Sequence, residues 1–377
     1  MTASASVTAA RSAATPDIVS FDVRRSSTPS PPERRREILS APGFGKFFTD
    51  HLARMTWTPG QGWHHACVEP YGPITLDPSA AVLHYAQEIF EGMKAYRHDD
   101  GSVWSFRPTA NAARFARSAE RLALPVLPEQ AFLASIESLV RTDVEWVPTG
   151  GETSLYLRPF MFASESFLGV RPAAEVTFMV IASPAGAYFS GGVRPVSIWL
   201  SQHFSRAAAG GTGEAKCGGN YAASLSAQAE ATAHGCDQVC FLDAQSHRWV
   251  EELGGMNLFF VHDDGSVVTP ELTGSILRGV TRDSLITLLR DEGRTVTERR
   301  FDIAEWRDGA ASGTIREVFA CGTAAVVTPV GRLVEPDAEH VAGAGETGPV
   351  TAAVRRRLLD IQYGRADDVH GWLHRLA

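Results

Sequence analysis

Three scarcities narrow what this chain can be. No apolar run reaches the ~18 residues that a membrane-spanning helix needs, and no signal-peptide core stands before a cleavage site. Positive charge is not in excess: a net charge of -8 at pH 7 argues against a nucleic-acid binder, whose phosphate contacts call for a clustered basic surface. Cysteine is sparse. The five present, Cys67, Cys217, Cys236, Cys240 and Cys321, are odd in number and scattered, so they form neither a disulfide ladder nor a zinc spacing. Such a set suits a reducing compartment, and the cytoplasm is the expected location. What remains is an ordinary globular composition. At roughly 150 residues per domain, 377 residues predict two domains with ample material for a core, and a small-molecule enzyme fits that frame best.

The first forty residues are rich in Ser, Thr, Ala, Pro and Arg and too polar to offset the entropy of ordering, so residues 1–40 are expected to form a disordered extension. Packing residues begin at Phe44, Phe47 and Phe48. The segment QEIFEGMKAYR, a turn at His98 to Gly101 and a short strand read as a hairpin. RPTANAARFARSAERLALP reads as a helix capped by Thr109, with Arg114, Arg117 and Arg121 on one face. SLYLRPFMFA alternates as a half-buried strand does, placing Tyr156 and Arg158 on its polar face. After the strand VTFMVIAS, a Gly- and Ala-rich stretch, PAGAYFSGG, marks a boundary. The expected units are residues 41–184, a loop over 185–192, and residues 193–377.

The second unit holds GTGEAKCGGNYAAS, residues 211–224, and Lys216 within it reads as a nucleophile. An amine that condenses with an aldehyde needs a low-charge, partly dry pocket, and Gly211, Gly213, Gly218 and Gly219 give a planar ring room to approach the backbone. Further on, Glu251 and Glu252 are adjacent, so on a strand only one of them faces a given side. Val280 and Thr281 open an amphipathic helix, where free N–H groups serve either capping or an anion. Gly322-Thr323-Ala324 forms a turn able to bind a carboxylate. Local pattern alone leaves other readings open: the arginine row as a solvated face, Tyr85 and Phe90 as core aromatics, Arg158 as half of a structural ion pair, and Tyr188 as a turn residue.

FEGMKAYR, RPxxNxxR, YLRP, GTGEAKCGGNY and GTAA occur in that order, and residues 44–363 resemble the branched-chain amino-acid aminotransferases, the fold-type IV pyridoxal phosphate enzymes. The resemblance implies an α/β (α+β) fold, two α/β domains with the cofactor between them, and a homodimer. It implies pyridoxal 5'-phosphate on Lys216, which also shuttles the proton. Arg114, Val280, Thr281 and Thr323 would hold the phosphate. Tyr221 would meet the ring hydroxyl, Glu252, at 36 residues past the lysine, the ring nitrogen, and Leu277 the ring face. For substrate it implies Tyr85, Phe90, Tyr156, Arg158, Tyr188, Thr323 and Ala324, with Arg158 on the side-chain carboxylate of glutamate. The implied substrates are leucine, isoleucine, valine, glutamate and their 2-oxo acids. Two departures stand out: Gly255 where some members carry threonine, and Ala325 and Thr328 where vertebrate members carry paired cysteines, which leaves no thiol switch of that type. D-Amino-acid aminotransferases, aminodeoxychorismate lyases, a non-catalytic binding protein and a cofactor-free lysine enzyme are the rivals. FEGMKAYR with YLRP and GTAA favours the branched-chain group.

Overall fold

Strands buried over most of their length assemble into two nine-stranded sheets in a computed structural model of the chain, which describes residues 20–186 and 193–377. The first sheet runs in the order Asp22–Val23, Gly62–Pro70, His51–Thr58, Val176–Ala185, Ser154–Ala163, Met93–Arg97, Val103–Phe106 and Leu373–Arg375, with Glu88–Phe90 beside Ser154–Ala163. Period-two patterning explains its two faces. In Ser154–Ala163, Leu155, Leu157 and Met161 are fully buried, while Tyr156, Arg158 and Phe160 stand on the other side. Helices Pro108–Arg121 and Glu129–Thr142 cover the apolar face, and Phe115, Phe132 and Phe178 meet there at ring distances of 5.4 to 6.4 Å. Each such ring contributes about 1.5–3 kcal/mol by leaving water.

The second sheet runs Val250–Leu253, Gln238–Leu242, Val196–Leu200, Val326–Glu335, Ile315–Gly322, Asn257–His262, Val267–Pro270 and Val296–Arg299, with Ala338–His340 beside Val326–Glu335. Val250–Leu253 also pairs with Asn257–His262 through Glu252 and Asn257, so six of these strands close into a ring. Its interior is filled by Ile198, Leu200, Leu258, Phe260 and Val318, and its outer face packs Phe259, Val261 and Phe319 under helices Val280–Asp291 and Pro349–Gln362. Phe259 and Phe260 are neighbours in sequence yet serve different cores, as alternation along a strand requires.

Three expectations need correction. The described part of the extension, residues 20–40, is ordered: Asp22–Val23 pairs with Cys67 and Val68, Pro32–Ser40 is helical, and Phe21 and Ile38 enter the first core. A polar segment does this because it docks two apolar side chains on a surface that already exists, and needs no core of its own. The helix over Pro108–Arg121 is preceded by Arg107 in the left-handed region, and Thr109 caps nothing. The chain end does not stay with the second unit: Leu373–Arg375 returns to pair with Val103–Phe106 of the first sheet. The loop containing Tyr188 lies outside the described residues.

Candidate active site

A cavity of about 240 Å³ lies between residues of the two sheets. Of the residues singled out from sequence, Lys216, Arg114, Tyr221, Glu252, Leu277, Val280, Thr281, Thr323, Ala324, Phe90, Tyr156 and Arg158 all line it. Tyr85 does not. It ends the short helix Ala81–Tyr85, is 38% exposed, and donates its hydroxyl to the Leu168 carbonyl beside Phe167, so it stands away from the cavity of its own chain.

The lysine loop is held from several sides. The Lys216 N–H donates to Ser118 Oγ (3.0 Å), and its carbonyl accepts from the Phe90 N–H (2.9 Å). Asn220, on the first turn of helix Gly218–Ala233, donates to the carbonyls of Thr212 (2.7 Å) and Ala215 (2.8 Å). Arg121 is exposed, as expected of it, yet it also grips the carbonyls of Gly210 and Gly211 at 2.8 and 3.1 Å. So anchored, Lys216 Nζ donates to Tyr221 Oη at 2.7 Å and lies 4.8 Å from the centre of the Phe90 ring. The glycines serve packing more than ring access. A Cβ on Gly213 would strike the Ser275 backbone, one on Gly218 the Glu88 carboxylate, and one on Gly219 would meet nothing.

One end of the cavity is made for an anion. Val280 and Thr281 begin helix Val280–Asp291, and no side chain caps its first turn, which leaves donors free. Gly279 before them has no room for a side chain, since a Cβ would run into Asn257 Oδ1. Arg114 reaches the same end but is partly committed. Its Nε and Nη2 donate to the two oxygens of Glu91 at 2.7 and 2.8 Å, and its Nη1 to the Arg278 carbonyl at 3.1 Å. Of five N–H groups, two remain for a ligand. Burial alone would push Glu91 up, but the Arg114 guanidinium outweighs it and holds the carboxyl below its ordinary value. Glu91 belongs to the FEGMKAYR segment, and its part in orienting Arg114 was not read from sequence.

Glu251 and Glu252 face opposite ways, as adjacent strand residues must. Glu251 accepts from Ser275 Oγ on the far side. Glu252 lines the cavity, takes the Leu277 N–H (2.9 Å) on Oε1, and lies 3.3 Å from Asn257 Nδ2 through Oε2. Burial pushes its carboxyl up, against the pull of Arg206 and the Leu277 N–H. Arg206 is a second residue that sequence reading left without a role: its Nη2 sits 2.5 Å from Glu252 Oε1 and also holds the carbonyls of Gly213 and Ser275.

The opposite wall is aromatic and cationic. Arg158 Nη2 donates to Tyr156 Oη (3.1 Å), and its guanidinium lies 4.7 Å from the Phe90 ring centre. Its Nε is buried without a partner, and no carboxylate lies within ion-pair distance of it among the described residues. A half-buried cation with an unpaired donor is well placed to take a carboxylate ligand. Gly92 makes space for the Tyr156 hydroxyl, which a Cβ there would strike. The last wall is the connection between strands Ile315–Gly322 and Val326–Glu335, where Thr323, Ala324 and Ala325 face the cavity. Cys321, just before it, is a buried thiol pushed up to about 12 by burial.

Comparison with known proteins agrees with this geometry. The sequence profile of the family described as Amino-transferase class IV matches residues 88–333, so the chain belongs to the class IV aminotransferases. It is 58% identical to a probable branched-chain-amino-acid aminotransferase of Streptomyces coelicolor, over 95% of this chain and 99% of that one. A branched-chain-amino-acid aminotransferase of Mycolicibacterium smegmatis is 57% identical over 94% and 98%. Within the class, the chain falls in the family of branched-chain amino-acid aminotransferases. A crystal structure of the T.th. branched-chain amino acid aminotransferase with pyridoxamine 5'-phosphate superimposes with a TM-score of 0.70 at 33% identity, covering 86% of this chain and 99% of that one. The fold is that of the fold-type IV enzymes.

Proposed function

We propose that the protein carries out pyridoxal phosphate-dependent transamination between branched-chain L-amino acids and 2-oxoglutarate, by a ping-pong route, as a cytoplasmic homodimer. The observation that carries this reading is that one cavity is lined by an amine, a carboxylate and an uncapped helix start at once: Lys216, Glu252 and Val280. That set fits the cofactor. Its phosphate matches the free N–H groups at Val280 and Thr281 and the two uncommitted N–H groups of Arg114, with Thr323 beside them. A ring between Leu277 and the aromatic wall would turn its nitrogen to Glu252 and its hydroxyl to Tyr221.

When bound, the cofactor supplies an aldehyde that condenses with amines and a ring that draws electrons from the α-carbon. Lys216 Nζ would be the base that takes and returns the substrate α-proton, and Tyr221 Oη, 2.7 Å away, would orient that amine. Glu252 favours a protonated ring nitrogen, and burial among Leu277, Asn257 and Arg206 keeps water from it. The aromatic wall accepts an oily side chain, while Arg158, which lacks an acidic partner, accepts the second carboxylate of a dicarboxylate substrate. Both needs have parallels in a relative: the T.th. enzyme has been solved with N-(5'-phosphopyridoxyl)-L-glutamate and with 4-methylvaleric acid. The five unpaired cysteines suit a reducing compartment.

The test is a panel of amino donors with 2-oxoglutarate, run on the native protein and on Lys216→Ala. Leucine, isoleucine and valine should be the best donors, and the variant should lose at least about 10³-fold in turnover while keeping its circular dichroism. Retained leucine transamination in Lys216→Ala, or a native protein inactive on all three donors, would overturn the reading.

A further inference from the structure

Lysine is rare in this chain, which has three, Lys46, Lys94 and Lys216, against 32 arginines. Lys46 is exposed and Lys216 faces the cavity, but Lys94 is only 8% exposed and the function proposed above leaves it without a task. It belongs to strand Met93–Arg97 of the first sheet, in register with Tyr156 of the aromatic wall. Its ammonium nevertheless reaches across to the second sheet, where Nζ donates to the Ala324 carbonyl at 3.0 Å. A compact ammonium can turn one of its three donors to a single carbonyl there, whereas a guanidinium would bring a rigid fork of five donors into a dry space.

Ala324 is the middle of a three-residue connection whose ends, Gly322 and Val326, pair across the hairpin. Val326 takes φ +61°, a left-handed conformation that a β-branched residue adopts only under strain, at a cost on the order of 1–3 kcal/mol. Strain of this kind persists only where the surroundings fix the backbone from outside. Lys94 provides such a hold. Its burial disfavours the ammonium and lowers it to about 8, with Arg355 pushing the same way and Glu152 opposing both. Glu152 is itself paired to Arg355, at 2.7 Å through Nη1, so Lys94 has the carbonyl as its direct partner and the acid only at longer range.

We propose that Lys94 is a positioning residue for substrate carboxylates: by gripping the Ala324 carbonyl from behind, it fixes the turn Gly322 to Ala325 in the shape that receives them, and sets its charge behind that turn. This rests on the reading above that the turn faces the substrate, and it adds what ties the turn to the aromatic wall. A carboxylate arriving at the cavity meets backbone donors already aimed and a cation one peptide deeper. A ligand of the same shape without the negative charge gains little from that arrangement.

The experiment compares 4-methylpentanoate with its uncharged amide, by calorimetry on the pyridoxal phosphate-loaded protein and its Lys94→Met and Lys94→Gln variants. Lys94→Met should weaken the acid roughly tenfold and the amide by less than about twofold, and Lys94→Gln, which keeps a donor but no charge, should fall between. KM for leucine and for 2-oxoglutarate should rise in parallel while kcat stays within about threefold of the native value. Equal weakening of acid and amide marks general distortion of the pocket and overturns the proposal, as does unchanged acid binding. Should Lys94→Met fail to fold, Lys94→Gln decides by the same comparison. A native protein that transaminates leucine but whose variants bind the acid normally removes the role of Lys94 alone; a native protein that does neither removes the underlying reading of the site.

Discussion

Arg206 Nη2 lies 2.5 Å from Oε1 of Glu252, so the carboxylate lining the cavity is already paired with a cation, while its Oε2 meets only the neutral amide of Asn257, at 3.3 Å. Even so, burial leaves the Glu252 carboxyl above its ordinary 4.5. The sign of the consequence follows. A carboxyl raised in the folded state binds protons that the unfolded chain has already released, so its contribution favours the fold below about 4.5 and is lost as pH rises through the higher folded value. Cofactor-free protein should therefore lose stability to urea over that interval, and Glu252→Gln should flatten that part of the curve. An unchanged slope in the variant would assign the effect to another group. Bound cofactor, which would bring a cationic ring nitrogen to Glu252, should also flatten it.

Gly279 precedes the uncapped helix start, and its missing side chain leaves room for Asn257 Oδ1. Gly279→Ala forces Asn257, which donates to the Leu277 carbonyl at 3.1 Å, to move. The expected cost is about 1–3 kcal/mol in unfolding free energy. Cofactor binding should weaken as well, because the displaced backbone carries the N–H groups proposed for the phosphate. Equilibrium dialysis of pyridoxal phosphate measures this, and a variant that binds it as tightly as the native protein would show that the phosphate lies elsewhere.

Legibility in the sequence followed the strength of the local signal. The strand Ser154–Ala163 and the helix Val280–Asp291 announced themselves through period-two and period-3.6 patterns, and their cavity-facing residues came with them. Lys216 and Glu252 were found through a motif and a spacing, and alternation alone settled that Glu251 and Glu252 face different sides. Partners distant in sequence left no such trace. Glu91 with Arg114, Arg206 with Glu252, and Lys94 with Ala324 are pairings made by the fold, between residues whose types look ordinary where they stand. That Tyr85 stands off the cavity of its own chain was hidden for a related reason: an aromatic side chain three residues before a pocket strand carries no mark of which way its short helix turns it. The ordered part of the extension was missed because composition measures whether a segment can build a core, and Phe21 and Ile38 only had to join one. A signal for Lys94 did exist, in the rarity of lysine in a chain so rich in arginine.

In the proposed function one amine carries the cofactor, and with three lysines in the chain that is unusually simple to check. Pyridoxal phosphate-loaded protein is reduced with borohydride, digested, and its lysine-bearing peptides are weighed. The added mass of the reduced cofactor should appear on the peptide containing Lys216 and on no other; the adduct on Lys46 or Lys94, or no adduct at all, would refute the proposed role of Lys216.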